Sequence, residues 1–200
     1  AVKTRRHVEA QRSPIAAQSH RQTLSVFISE ASRYRDLMGT PDFILALRRK
    51  IGNDPLWLSS VTAVVARDDQ VLLAKRADNG EWTPVTGIID PGEQPADAAA
   101  REVLEETGIV AVPQRLAMVH VTDPVVYDNG DQTQYLDLVF RFDWQSGVPH
   151  PADGENTAAD WFPLNDLPPM PDDMRKRITA ALSNEQTAQY VFSPPSPGST

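Results

Sequence analysis

The chain has 200 residues, a formal net charge of −8 at pH 7 and no cysteine. This length fits one domain with appendages better than two full domains. The acidic excess argues against broad nucleic-acid binding, which needs a basic surface. The lack of cysteine excludes disulfides, thiolate zinc sites and cysteine nucleophiles. No segment reaches the roughly 20 apolar residues of a membrane span, so we expect a soluble, cytoplasmic protein.

The region before residue 57 divides into two parts. Residues 1–22 are basic, with Glu9 as their one acidic residue, and we expect a disordered arm rather than a transit peptide. Residues 23–56 predict a helical N-terminal extension. Apolar residues recur at helical spacing in its first half, and Pro41 and Gly52 are placed to begin and end a second helix. This extension either packs on its own domain or forms the contact of a homodimer.

The first half of the domain predicted over residues 57–182 reads as strands followed by one helix. Apolar runs at residues 61–66 and 71–74 flank a polar turn and predict a β-hairpin. A helix is expected to follow, because Pro95 suits a first helical turn and Gly108 suits the left-handed position after a helix end.

The second half returns to strands. Residues 116–121 and 134–144 predict strands on either side of a loop that contains the hairpin-type pair Asn129-Gly130. A short strand at residues 161–164 and a closing helix at residues 172–182 complete the domain. Residues 183–200 end in a Pro- and Ser-rich stretch and are expected to form a disordered tail.

Acidic side chains are concentrated around the helix that ends before Gly108. Glu102, Glu105 and Glu106 fall on one face, because positions three and four apart are neighbours on a helix, and Glu93 lies just before the helix. Like charges at this spacing destabilise a helix by a few tenths of a kcal/mol per pair. A divalent cation would turn that repulsion into coordination, and an all-oxygen ligand set favours Mg²⁺ or Mn²⁺ over Zn²⁺.

The segment from residue 87 to residue 109 resembles the Nudix box. The resemblance holds at every fixed position of that motif, which here are Gly87, Glu93, Arg101, Glu102, Val103, Glu105, Glu106, Gly108 and Ile109. The two strands and Trp82 that precede the box are also similar to the family, so the resemblance covers about residues 57–182. It implies an α/β fold, with an α/β/α sandwich around a mixed β-sheet. It also implies an enzyme that hydrolyses a diphosphate linkage in a nucleoside diphosphate joined to another group.

The resemblance implies roles for the members of the box. We expect Glu102 and Glu106 to be the principal ligands of Mg²⁺ or Mn²⁺, with the backbone carbonyl of Gly87 completing the site. Glu105 would be a further ligand or a base near the metal. Glu93 would occupy an outer, water-mediated position. Arg101, four residues before Glu105, is placed to pair with it and is grouped with the catalytic residues.

The family often takes its general base from a carboxylate outside the box. Here the candidates are Glu155 and Asp160, in the loop before Trp161, and Glu155 is preferred. A solvated acidic loop without a catalytic role is an equal alternative. Arg76, at the end of the second strand, and Tyr127 are candidate substrate-binding residues, for phosphate and for stacking on a base. Both residue types are also common as ordinary surface or packing residues.

The substrate is a nucleotide-type small molecule on this reading. Pro124 lies sixteen residues after Gly108, similar to a proline marker of ADP-ribose-cleaving members of the family, and favours ADP-ribose or a related nucleotide sugar. A house-cleaning pyrophosphohydrolase for nucleoside triphosphates is the alternative within the family. A non-catalytic nucleotide-sensing module is the alternative from another class, although sensors tend to lose the ligand carboxylates that this chain keeps.

Overall fold

The computed structural model describes residues 40–193. The predictions for the arm at residues 1–22, for the first helix of the extension and for the end of the tail lie outside the described residues. Within the described part, the helices are α1 (Asp42–Ile51), α2 (Pro95–Thr107) and α3 (Asp172–Leu182). The strands are β1 (Leu56–Arg67), β2 (Gln70–Arg76), β3 (Trp82–Thr83), β4 (Val85–Ile88), β5 (Val110–Val121), β6 (Val125–Val126), β7 (Gln132–Ser146), β8 (Asn156–Pro163) and β9 (Gln189–Tyr190).

The described strands form one mixed sheet with β1 near its centre. β1 runs parallel to β7 along almost its whole length, and a parallel pair needs a long crossover, which here includes α2. On its other side β1 pairs antiparallel with β4 in its first half and with β2 at its end. The β1–β2 turn confirms the predicted hairpin. β8 adds to the free side of β2, and β5 to the free side of β7.

Helices cover both faces of this sheet. We call the two sides the α2 face and the α3 face. The core on the α2 face joins the helix to the sheet through Val61, Ala63, Val65, Val85, Phe142, Ala98, Ala99 and Val103. The core on the α3 face contains Val64, Val71, Leu73, Val139, Ile178 and Ala181. Side chains along β1 therefore alternate between two buried faces. The predicted α/β/α sandwich around a mixed sheet is confirmed.

The α3 face also holds a buried ionic network. Asp137 on β7 is completely buried and accepts hydrogen bonds of 2.9 Å from the hydroxyls of Ser60 and Thr62. Its carboxylate lies 3.1 Å from His120 Nε2 and 3.3 Å from Arg177 Nη1. Burial alone would raise the pKa of Asp137, but the hydrogen bond with His120 and the charge of Arg177 lower it. This network ties α3 to three neighbouring strands.

Helix boundaries agree with the sequence better than strand boundaries do. α1 ends at Gly52, which adopts a φ of 61°, and α3 has the predicted bounds. β5 begins at Val110 rather than residue 116; its first five residues are exposed except Ala111 and include Pro113, which interrupts any strand pattern. β8 begins at Asn156 rather than residue 161. No described helix is long and apolar enough to cross a bilayer.

Candidate active site

Helix α2 is bounded by local signals and lies close to the sheet. Pro95 occupies its first turn, and Gly108 after its end has a φ of 67° and donates its N–H to the Leu104 carbonyl at 2.9 Å. Ala98 and Ala99 are fully buried. These small side chains let the helix backbone approach the strands, which brings the acidic face of α2 to the edge of β4.

The carboxyl group of Glu102 lies against the backbone of strand β4 at Gly87. Gly87 pairs with Val61 of β1. A Cβ atom added to Gly87 would overlap the carboxyl group of Glu102. A larger residue at this position would displace that carboxyl group. Gly87, the first residue of the box, and Glu102, fifteen residues later, are therefore in direct contact.

The carboxyl groups of Glu102 and Glu106 are both largely withdrawn from solvent. Burial raises the pKa of Glu102 to about 7, although the charge of Arg101 opposes this. Burial raises the pKa of Glu106 to about 8, although a 2.8 Å hydrogen bond from Asn156 Nδ2 opposes it. Glu106 is 6% exposed. Burial thus favours the neutral form of the buried Glu106 and of the half-buried Glu102, and the Arg101 guanidinium only partly offsets this at Glu102.

Arg101 forms ion pairs with three of the four glutamates, Glu93, Glu102 and Glu105. Its guanidinium binds Glu93 through two hydrogen bonds, of 2.9 and 3.0 Å. It also lies 3.0 Å from an oxygen of Glu105 and 3.0 Å from an oxygen of Glu102. The Arg101–Glu105 pair is the one expected from the sequence, whereas the bidentate pair with Glu93 holds the loop before α2 against the helix. The hydrogen bonds from Arg101 lower the pKa of Glu93.

Glu155 joins this group from the segment before β8. Burial raises its pKa, and the charge of Asp153 adds to that effect. The charge of Glu155 in turn raises the pKa of Glu102 and of Glu106, which shows that the carboxyls lie close together. The backbone of Glu155 is fixed, since its carbonyl accepts a 2.9 Å hydrogen bond from the N–H of Ala77.

Asp160 lies elsewhere. It pairs with Leu73 of β2, whose side chain belongs to the core on the α3 face. Register partners in an antiparallel pair point to the same face, so Asp160 is directed away from α2. Its carboxylate accepts a hydrogen bond from the N–H of Trp161 at 2.7 Å. The structure therefore brings Glu155, and not Asp160, to the acidic face of α2.

The two predicted substrate contacts lie beside the site. Arg76 stands at the end of β2 and makes a bidentate pair with Asp78, at 2.9 and 2.6 Å. Hydrogen bonding to Asp78 raises the pKa of Arg76, and the charge of Glu106 contributes in the same direction. Tyr127 is 41% exposed, and its hydroxyl lies 2.8 Å from that of Tyr135.

The donor set suits a hard divalent cation, although the described side chains are not gathered around one. Within residues 40–193, no group of three or more His, Asp or Glu side chains converges closely enough to hold a metal ion. The Glu102 and Glu106 carboxylates, with the adjoining Gly87 backbone, supply the oxygen donors that Mg²⁺ and Mn²⁺ prefer.

Asn156 is the residue of this site that the sequence did not indicate. It is 7% exposed, and its side chain reaches Glu106 across fifty positions of the chain. In the loop before Trp161, the sequence indicated only the carboxylates Glu155 and Asp160 as candidates. Asn156 was missed because the predicted strand began at residue 161, and a single asparagine has no pattern that marks it as functional.

Comparison with known proteins settles the family. The NUDIX domain model matches residues 57–182. The chain belongs to the Nudix family. The sequence resemblance is confirmed at that level, as is the prediction of a Nudix hydrolase.

Relatives within the family differ in length. A MutT-like protein of Streptomyces ambofaciens is 38% identical over 125 residues, which cover 62% of this chain and 71% of that protein. The NAD-capped RNA hydrolase NudC of Vibrio cholerae is 32% identical over 133 residues, 66% of this chain and 46% of that protein. The Nudix chain described here thus matches about half the length of NudC.

Solved structures support the same fold. An ADP-ribose pyrophosphatase from Streptococcus suis has a TM-score of 0.53 and 20% identity, covering 67% of this chain and 98% of that one. A UDP-X diphosphatase has a TM-score of 0.56 and 18% identity, covering 90% of this chain and 88% of that one. At these identities the likeness concerns the fold alone.

Proposed function

We propose that this Nudix protein hydrolyses the diphosphate linkage of a nucleoside diphosphate joined to another group, with ADP-ribose or a related nucleotide sugar as its substrate. The observation that carries the proposal is the pair of carboxyls on one face of α2, of which Glu106 is buried and Glu102 half-buried. Such carboxyls are best stabilised as anions by a bound cation. The bound cation would in turn attract the negatively charged phosphates of the substrate.

Glu102 and Glu106 would hold Mg²⁺ or Mn²⁺, with the Gly87 carbonyl beside them and Glu105 as a further ligand. A bound ion of this type supplies neutralisation of phosphate charge and lowers the pKa of coordinated water. Glu93 would support the site through Arg101 and water. Arg101 keeps Glu93 and Glu105 in place, since its guanidinium contacts both carboxylates.

Glu155 is the proposed general base. Burial raises its pKa, which moves its proton affinity toward the range in which a base works near neutral pH. It adjoins the ligand carboxyls and remains on an accessible segment. Asp160 is disfavoured, because it lies on the opposite face of the sheet. Arg76, close to Glu106, would meet a phosphate group of the substrate, and Tyr127 would lie beside the nucleoside.

Support for the substrate class comes from chain features and from one relative. Pro124 follows Gly108 at the spacing described above. NudC, 32% identical to this chain, is a hydrolase of NAD-capped RNA. NAD and ADP-ribose share an adenosine diphosphate joined to a second ribose, so both point to an ADP group linked through its diphosphate. Hydrolysis of nucleoside triphosphates is the alternative.

Product analysis tests the proposal. The protein is incubated with ADP-ribose, NAD, nucleotide sugars and nucleoside triphosphates in the presence of Mg²⁺ or Mn²⁺. AMP with ribose 5-phosphate from ADP-ribose supports the proposal, whereas nucleoside monophosphate with pyrophosphate supports the alternative. Tight nucleotide binding without metal-dependent turnover would instead identify a sensor.

A matched pair of variants locates the activity. We expect the double substitution Glu102→Gln and Glu106→Gln to abolish turnover. Glu185→Gln, which removes an exposed carboxylate from the segment after α3, should leave it unchanged. Equal turnover by both variants would overturn the assignment of the site.

A further inference from the structure

We propose that the segment of residues 147–156 is a clamp on the last turn of α2, and that Asn156 is a positioning residue for Glu106. The inference rests on the proposed function, because it concerns a proposed metal ligand. It adds a second element to the site, contributed by the chain between β7 and β8 and independent of the Nudix box.

The clamp reaches the end of α2 through three hydrogen bonds. The N–H of His150 donates to the Thr107 carbonyl at 3.1 Å, and the N–H of Ala152 donates to the Glu106 carbonyl at 3.1 Å. Asn156 Nδ2 donates to Glu106 Oε2 at 2.8 Å. Carbonyl groups in the last turn of a helix lack partners inside the helix. Glu106 is therefore held by the clamp at both its backbone and its side chain.

The clamp lies in close contact with the backbone just after the end of α2. A Cβ atom on Gly147 would lie 2.6 Å from the carbonyl oxygen of Gly108, and one on Gly108 would overlap the imidazole of His150. Both glycines have positive φ, 101° for Gly147 and 67° for Gly108. Because Gly147 meets backbone atoms, a larger residue there would push the segment away from the end of α2, whereas one at Gly108 would displace the His150 side chain.

A β-bulge in β8 orients the side chain of Asn156 toward Glu106. On β2, Lys75 pairs with Ala158 and the next residue, Arg76, pairs with Asn156, so β8 carries the extra residue Thr157. A bulge of this kind bends a strand and redirects a side chain, and such bulges are frequent beside active sites. Here it places the amide of Asn156 against Glu106 instead of continuing the regular alternation.

The contact between Asn156 and Glu106 selects one carboxylate oxygen. The Nδ2 group can only donate, and it donates to Oε2 of Glu106. Oε1 is then the oxygen available to a cation. Partners of this kind orient a metal ligand, and their substitution typically lowers metal affinity or activity about 10–100-fold. Asn156 acts through Glu106 and is not itself a ligand in this proposal.

The test compares the full-length wild type with Asn156→Ala and Asn156→Leu. The leucine variant keeps the branching at Cγ and removes the donor. Asn184→Ala is the matched control, because it removes the same side chain at an exposed position after α3, outside the proposed site. Calorimetric titration with Mn²⁺, in the absence of nucleotide, gives the dissociation constant. Unfolding temperature without metal and the separate values of kcat and KM are measured on the same preparations.

We expect both Asn156 variants to bind Mn²⁺ about 10–100-fold more weakly and to show a larger fall in kcat than rise in KM, with Asn184→Ala within about twofold of wild type. A purely structural role would lower the unfolding temperature and leave the Mn²⁺ dissociation constant unchanged, which would overturn the inference. Wild type that does not bind Mn²⁺ would overturn the proposed function itself. If neither variant folds, the side-chain amide NMR signal of Asn156 in the wild type must shift when Mg²⁺ is added, and an unmoved signal overturns the inference.

Discussion

Replacing Glu106 by glutamine should stabilise the metal-free protein at alkaline pH. The Glu106 carboxyl is 6% exposed, and burial raises its pKa from 4.5 to about 8. A carboxyl whose pKa is higher in the folded state contributes stability at low pH, and that contribution is lost as pH rises from about 4.5 through about 8. The glutamine side chain has nearly the same shape and can still accept the hydrogen bond from Asn156.

The size of the effect follows from the two pKa values. At 1.36 kcal/mol per pKa unit, the difference between 4.5 and about 8 sets an upper bound of roughly 5 kcal/mol on the penalty for ionising the folded protein. Part of that penalty is already present at pH 5.5. Between pH 5.5 and pH 8.5 we expect the stability of Glu106→Gln relative to wild type to rise by about 2–3 kcal/mol.

Urea unfolding in the presence of a chelator measures this difference. Free energies of unfolding are determined for the wild type, Glu106→Gln and the control Glu185→Gln at pH 5.5 and pH 8.5. Excess Mg²⁺ should narrow the gap between wild type and Glu106→Gln at pH 8.5, because a ligand that binds only the folded state stabilises it. A difference between these two proteins that does not change with pH would refute the reasoning.

Three further substitutions test separate parts of the account. Gly87→Ala should displace the carboxyl of Glu102 and lower kcat about 100-fold with unchanged circular dichroism; wild-type kcat would contradict this. Arg101→Lys removes the bidentate hold on Glu93 and should lower kcat at least about tenfold; full activity would show that a single charge suffices. Asp137→Ala removes the buried carboxylate that pairs with Arg177 and accepts hydrogen bonds from Ser60 and Thr62, and should reduce the free energy of unfolding, measured in urea, by about 3–5 kcal/mol, whereas a loss below about 1 kcal/mol would argue against the network.

The features predicted most accurately from the sequence are those with local causes. α2 begins at Pro95 and is followed by Gly108, because a proline and a left-handed glycine act within one turn of the helix that they bound. The clustering of Glu102 and Glu106 follows from helix geometry alone. The fold could be predicted because the Nudix box is a pattern of residues within one short segment, residues 87–109.

The features that were missed depend on distant contacts. The side of the sheet on which Asp160 lies is set by the register of β8 against β2, and a slip of one residue would reverse it. The partner of Glu106 is an asparagine from another strand. Arg101 was expected to pair with Glu105 at helical spacing, but its bidentate partner is Glu93, which precedes the helix. None of these contacts produces a helix-type or strand-type spacing of residues from which it could be predicted.

The central claim is that the carboxylates of α2 bind a divalent cation. Calorimetric titration of Mn²⁺ into wild type and into the double variant Glu102→Gln and Glu106→Gln tests it most directly. The account predicts saturable uptake by the wild type that is lost in the double variant while the variant remains folded. Equal uptake by the two proteins, or none by the wild type, would contradict it.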